Sequence, residues 1–128
     1  MKWSLQQLFK YNGKPFTFNF TCDLKKYIEN ISDILDISEV EVSGVGQNVR
    51  NDRYVFDLNI KCTLTLEDSV TLDPVEYPLN IATTEIFDFV EDEDDVNLID
   101  KNTINLEGVV WENILVLKPI RYTISEDE

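Results

Sequence analysis

From Tyr54 to Leu66 every second residue is apolar: Tyr54, Phe56, Leu58, Ile60, Cys62, Leu64 and Leu66 alternate with Asp57, Asn59, Lys61, Thr63 and Thr65 among the intervening positions. A period of two puts the first set on one face of a strand, so the stretch predicts a long strand with one buried face and Cys62 in the core. A second long strand is expected over YPLNIATTEIFDFV, residues 77–90, where Leu79 and Ile81 share one parity. Beyond Thr84 both parities are apolar, Ile86 against Phe87 and Phe89, which requires either a bulge near Thr83-Thr84 or a strand end buried on both faces. Between the two strands, Glu67 to Ser69 should turn the chain, Val70 to Leu72 make a short return, and Asp73-Pro74 turn it again.

Upstream, Ser4 and Gln7 form an S-x-x-Q capping box, Leu5, Leu8 and Phe9 share a helical face, and Asn12-Gly13 stops the turn, predicting a helix from about Ser4 to Tyr11. PFTFNFTC alternates Phe16, Phe18 and Phe20 with Thr17, Asn19 and Thr21 as a strand does. Asp23 can cap LKKYIENI, with Leu24, Tyr27, Ile28 and Ile31 on one face, as one short helix or two turns. From Ile37 the alternation resumes, with Val40, Val42 and, as a further candidate, Val45 on one side and Glu39, Glu41 and Ser43 on the other. Gly44 and Gly46 should bulge or bend that strand, and Asn51-Asp52 should make a hairpin turn. After the short strand VNLID, the stretch INLEGVVWENILVLKP predicts a helix capped by Asn105 and ended by Pro119. Its stripe is Leu106, Val109, Val110, Ile114 and Leu117, and Gly108 weakens it by ~1 kcal/mol relative to Ala. IRYTI reads as a last strand before the tail SEDE. The expected fold class is α+β: a curved, mainly antiparallel β-sheet, partly closed as a barrel at the extreme of that curvature, with short peripheral helices. A single domain over 1–128 is expected, with a mobile acidic loop at 91–95 and a flexible acidic tail at 125–128.

Composition supports one core, since 43% of the 128 residues are hydrophobic and 11% aromatic. Charge changes the picture more. The net charge is −14, but residues 1–61 are neutral overall, while residues 62–100 carry twelve acids and no Lys or Arg. There is no histidine, and Cys22 and Cys62 are isolated, neither in a CxxC pair. They read as two buried thiols in a reducing cytoplasm, with a disulfide as the alternative. Neither nucleophilic nor metal chemistry has its usual residues, so neither a cofactor nor a metal is expected. The run EDEDD at 91–95 departs from the pattern of a calcium loop after Asp94, and Gly44-Val45-Gly46 lacks the third glycine of a phosphate loop. No stretch has the length of a membrane span or the apolar core of a signal peptide, which gives a cytoplasmic expectation.

Two candidate interfaces follow. Glu85, Asp88, Glu91, Asp92, Glu93, Asp94 and Asp95 could meet a strongly basic protein partner; the plain alternative is that they only keep the chain soluble. Lys10, Lys14, Lys25 and Lys26, interleaved with Trp3, Phe9, Tyr11, Phe16, Phe18 and Phe20, could contact RNA by phosphate neutralisation and base stacking. The plain alternative there is that the rings are core and the lysines a solvated rim. A hydrolase, the remaining class, would need a closed pocket with buried carboxylates of shifted pKa.

Three ordered blocks, MKWSLQQLFKYNGKPFTFN, TLDPVEYPLNIATTEIFDF and INLEGVVWENILVLKP, resemble the YceD family of large ribosomal RNA subunit accumulation proteins, in its Gram-positive branch. The resemblance implies a non-enzymatic bacterial factor in large-subunit biogenesis that supports accumulation or processing of 23S ribosomal RNA. Its implied partner is a basic ribosomal or assembly protein, or the 23S RNA or its precursor. Family members commonly carry a cysteine and an arginine just before the Thr-Leu that is Thr71-Leu72 here, where this chain has Asp68 and Val70. A thiol or metal role for those family cysteines therefore does not transfer. The matching positions Tyr77, Pro78, Leu79, Glu85, Phe87, Asn105, Leu106, Glu112 and Leu115 read as structural.

Overall fold

A computed structural model describes residues 2–32, 34–50, 52–90 and 96–117. The elements in order are β1 (Lys2–Ser4), α1 (Leu5–Phe9), β2 (Phe16–Cys22), a 3₁₀ turn (Lys25–Ile28), β3 (Ile34–Ile37), β4 (Val40–Arg50), β5 (Arg53–Glu67), β6 (Pro74–Asp88), β7 (Val96–Leu98), β8 (Thr103–Asn105) and α2 (Glu107–Leu117). The main sheet has the order β2-β4-β5-β6-β7, with β3 lying beside the far half of β5 where β4 has ended; β1 and β8 pair separately. The sheet curls into a half-barrel, and the fold is α+β as the pattern predicts. All pairings are antiparallel except β6 with β7.

β5 is the spine. Tyr54, Phe56, Leu58, Ile60, Cys62, Leu64 and Leu66 are all buried, which is the full apolar set of the alternation. The hollow of the sheet also receives Val40 and Val42 from β4, Leu79, Ile81 and Phe87 from β6, Leu5 and Leu8 from α1, and Val109, Val110, Trp111 and Ile114 from α2. The capping box forms as read: Ser4 Oγ accepts from Gln7 N (3.1 Å) and Gln7 Oε1 from Ser4 N (2.9 Å). Asp23 Oδ1 accepts from Lys25 N (2.9 Å) and Asn105 Oδ1 from Glu107 N (3.0 Å) at the two later helical starts. β4 and β5 are joined across Asn51-Asp52, with Arg50 opposite Arg53.

Several expectations need correction. Gly44 and Gly46 lie in unbroken register with Leu58 and Phe56, and the irregularity of this ladder falls later, between Asn48 and Arg50. The glycines take the inward positions, so Val45 points outward and is exposed. They make room for rings: a Cβ on Gly46 would lie 2.6 Å from Phe16 Cζ and 2.7 Å from Phe56 Cε2. β5 and β6 pair without a slip from Tyr54 opposite Phe87 to Glu67 opposite Pro74, so there is no bulge at Thr83-Thr84. Ile86 is instead half-buried on the outer face, beside Val96 of β7. Residues Val70 to Leu72 form no strand; the chain turns once between β5 and β6, closed by Asp68 N donating to Asp73 O (2.8 Å) and Leu72 N to Asp68 O (2.9 Å), and Pro74 already opens β6. β3 was not expected. On α2, Trp111 joins the buried stripe and Leu117 is exposed. The expected strand IRYTI, the stop at Pro119, the tail at 125–128 and the loop at 91–95 lie outside the described residues.

Candidate interaction surfaces

The sheet order sorts the charges. β2, with Lys10 and Lys14 just before it and Lys25 and Lys26 just after it, forms one side, and β6 and β7, from the segment without a base, form the other. Two of the seven acids assigned to a protein partner turn out to be engaged within the fold. Glu85 accepts from Asn97 Nδ2 through Oε1 (2.9 Å) and from Asn113 Nδ2 through Oε2 (3.0 Å), which ties β6 to β7 and α2. Asp88 Oδ2 accepts from Arg53 Nε (3.0 Å) as an ion pair whose arginine is buried, and Asp88 Oδ1 takes the N–H of Phe89 (2.7 Å). Both carboxylates hold the end of β6 in place. Glu91, Asp92, Glu93, Asp94 and Asp95 lie outside the described residues. Acids that the sequence reading passed over, Glu67, Asp73 and Glu76, are exposed on the β5–β6 hairpin. Their loop is set by buried Asp68, whose Oδ1 accepts from Val70 N (2.8 Å) and Thr71 N (2.9 Å). It presents Val70 and Leu72 to solvent, Leu72 with φ 66°.

The four lysines named for RNA are all exposed, but they do not form one patch with free rings. Lys10 Nζ lies 5.3 Å from the centre of the Tyr11 ring, and Lys26 Nζ 5.3 Å from that of Tyr27. Lys26 is also paired with Glu107 Oε2 (2.8 Å), the same oxygen that accepts from the Tyr27 hydroxyl (2.8 Å). Hydrogen bonds from Lys26, then from Tyr27, hold the Glu107 carboxyl below its usual range, and the same pairing raises Lys26. Tyr27 stacks on Trp111 at 5.3 Å, so this cluster fastens the 3₁₀ turn to α2. Trp3 sits within 5.3–5.9 Å of Phe16, Phe18, Phe20 and Phe56, and Tyr11 stacks on Phe16 at 4.4 Å. These rings satisfy one another in the hollow of the sheet; Phe9, 58% exposed, is the exception.

The two thiols are free; Cys62 is buried as expected, whereas Cys22, at the end of β2, is only half-buried. Cys22 pairs with Val40, and continuation of the β4–β5 register puts Cys62 on the far side of Val40. Two strand spacings separate the thiols by about 10 Å of backbone, too far for a disulfide. Burial pushes the Cys62 thiol up to about 11, with a smaller push from Cys22, and burial raises Cys22 as well. Neither is a thiolate at neutral pH. Among the described residues no group of three or more Cys, Asp or Glu is arranged to hold a metal ion. A cleft of about 500 Å³ opens between α1, Phe89 and the turn Lys101–Thr103, lined also by Ser4, Gln6 and Asp52. Its carboxylate is half-buried Asp52. No helix among the described residues is long and apolar enough to cross a membrane.

Against known proteins, the chain is similar to an uncharacterized protein of Bacillus subtilis (strain 168), YlbN, with 35% identity over 134 residues, covering 100% of this chain and 77% of that protein. The chain belongs to the YlbN family. No family model and no solved structure matches it. For this member of the YlbN family the outcome at the expected residues is mixed. Lys10, Lys14 and Lys25 are surface cations, Lys26 is tied to Glu107, and Glu85 and Asp88 are held within the fold. Glu67, Asp73 and Glu76 of the β5–β6 hairpin were not among the expected contacts, although the absence of any Lys or Arg between Cys62 and Asp100 marks that segment in the sequence.

Proposed function

We propose that this protein is a non-enzymatic, YceD-type cytoplasmic factor in biogenesis of the large ribosomal subunit, and that it binds a basic ribosomal or assembly protein through its acidic side. The carrying observation is the order of the sheet, which sets β6 and β7, both drawn from the base-free segment of the sequence, on the side away from β2 and the lysines that flank it. Such a one-signed edge attracts and orients a basic chain at long range, and the attraction falls with salt. Because Glu85 and Asp88 are engaged internally, recognition falls to exposed Glu67, Asp73 and Glu76 and to the run Glu91–Asp95. The RNA reading has less support, since its aromatic rings pack on one another and one of its lysines is paired.

The test compares binding to purified basic large-subunit proteins with binding to a 23S RNA fragment, at several salt concentrations. Changing Glu91–Asp95, or Glu67, Asp73 and Glu76, to their amides should weaken protein binding at least tenfold and leave or improve RNA binding. RNA binding that survives in the acid variants but is lost on changing Lys10, Lys14 and Lys25 to Gln, with no protein partner retained, sinks the reading.

A further inference from the structure

The direction of the β6 backbone follows from its partners. On β5, Thr63 O accepts from Ser38 N (2.9 Å) and Thr63 N donates to Ser38 Oγ (2.8 Å), so both main-chain groups of Thr63 face the β3 side. Main-chain groups alternate sides along an antiparallel ladder, so the even-numbered residues of β5 face β6. Thr63 stands opposite Pro78, which turns Pro78 and the other even-numbered residues of β6 away from β5. The far end agrees: Asp88 O accepts from Ile99 N (2.9 Å) and Ile86 O from Asn97 Nδ2 (3.0 Å). Among the described residues β7 takes up only Ile86–Asp88. Between Pro78 and Ile86, the N–H groups of Asn80, Ala82 and Thr84 and the carbonyls of Pro78, Asn80, Ala82 and Thr84 form an outward row with no described strand beside it.

Natural sheets blunt such edges with proline, lysine or a bulge. Pro74 and Pro78 do this for the first half of β6, each at the outward parity where a missing N–H costs the sheet nothing. Asn80, Ala82 and Thr84 are exposed, and their stretch has no proline, no lysine and no bulge. We propose that the β6 edge from Asn80 to Thr84 is a strand-addition site that takes an extended, basic segment of a protein partner. An unpaired ladder specifies an extended polypeptide, because only another backbone matches its alternating donors and acceptors. The basic character rests on the function proposed above and on the surrounding charge: exposed Glu76 on the same edge, Glu67 and Asp73 at the hairpin and Asp57 opposite Thr84, against Lys61 opposite Asn80. A second copy is the poorer occupant, since edge-to-edge pairing would bring two chains of net charge −14 together along their acidic sides.

The experiment measures amide hydrogen exchange by NMR on the full chain, with a synthetic ten-residue peptide of alternating Lys and Val as probe. Exchange at Asn80, Ala82 and Thr84 should slow at least tenfold with the peptide. Ala82→Pro, placed at the parity that Pro74 and Pro78 already occupy, should keep the fold and raise the peptide concentration needed at least tenfold. If that variant does not fold, the same peptide N-methylated at alternate residues leaves the protein unchanged and should give no protection. The inference is overturned by absence of protection at these amides, by undiminished binding of the blocked partner, or by protection that appears without peptide and grows with chain concentration. Equal protection by a Ser/Val peptide keeps strand addition but overturns the basic occupant. If no peptide protects the edge while basic large-subunit proteins still bind through the acids, strand addition alone has failed.

Discussion

Gly44 and Gly46 show how much a residue with no side chain decides here. Each occupies an inward position of β4 that Phe16, Phe18, Phe56 or the Asp57 carbonyl fills from the neighbouring strands. Gly46→Ala should cost about 1–3 kcal/mol by overpacking, read as a lower urea midpoint with unchanged slope. Gly44→Ala should cost more than that, because its Cβ meets the backbone carbonyl of Asp57, which has no rotamer to escape into. The same positions explain an error of parity: with glycine on the inward side, the nearest apolar residue, Val45, looks like the next core residue after Val42. Glu107 gives a pH test. Its folded carboxyl is held below the usual range by Lys26 and then Tyr27, so its contribution is present above the unfolded carboxylate pKa and is lost as pH falls through the lowered folded value. Glu107→Gln should therefore flatten the loss of stability on acidification through that window, measured by urea unfolding as pH is lowered from 7. An unchanged acid limb in the variant would refute the assignment.

Among elements, β5 and β2 were legible because each has one face in the core and no irregularity to break its period. β3 was hidden by a shift of register between Ile34 and Asp36, which leaves Ile34 and Ile37 both buried and three apart, a helical spacing in a strand. The end of β6 was ambiguous because Ile86 is half-buried on the outer face where β7 pairs alongside, and β7 comes from beyond an acidic run that carries no pattern. The internal roles of Glu85 and Asp88 could not be read locally, since their partners Asn97, Asn113 and Arg53 lie 12, 28 and 35 positions away. That difference is testable. Arg53 is buried and Asp88 is one of its partners, so Asp88→Ala should lose stability, with about 3–5 kcal/mol, the cost of leaving a buried charge wholly uncompensated, as the ceiling. Joint replacement of Arg53 with Met and Asp88 with Leu should lose much less, and a double-mutant cycle by urea unfolding gives the coupling. A stable Asp88→Ala chain that only bound its partner less well would return Asp88 to the recognition surface.

At the scale of the whole molecule, the charge is unevenly spread: residues 1–61 balance their acids with an equal number of bases, whereas residues 62–100 carry twelve acids and no Lys or Arg, and the net charge is −14. The two ion pairs discussed above differ in their response to salt: Arg53–Asp88 is buried and little screened, whereas Lys26–Glu107 is exposed and weakened by ions. Repulsion among the acids of β6, the β5–β6 hairpin and residues 91–95 is also screened, and it involves many more charges. The sign of the salt effect on folding is thus set by repulsion, since unfolding lets the acids move apart. Raising ionic strength from about 0.01 M to about 0.15 M shortens the screening length from about 30 Å to about 8 Å. Thermal unfolding should then shift upward by roughly 4 °C, the change that about 1 kcal/mol makes in a domain of this size. Replacing Glu91–Asp95 with Asn and Gln should raise the low-salt Tm and shrink the salt-dependent rise. A Tm that falls with salt in the parent chain would mean that favourable pairs outweigh the repulsion, and the acidic side would no longer be a surface held under electrostatic tension for a basic partner to relieve.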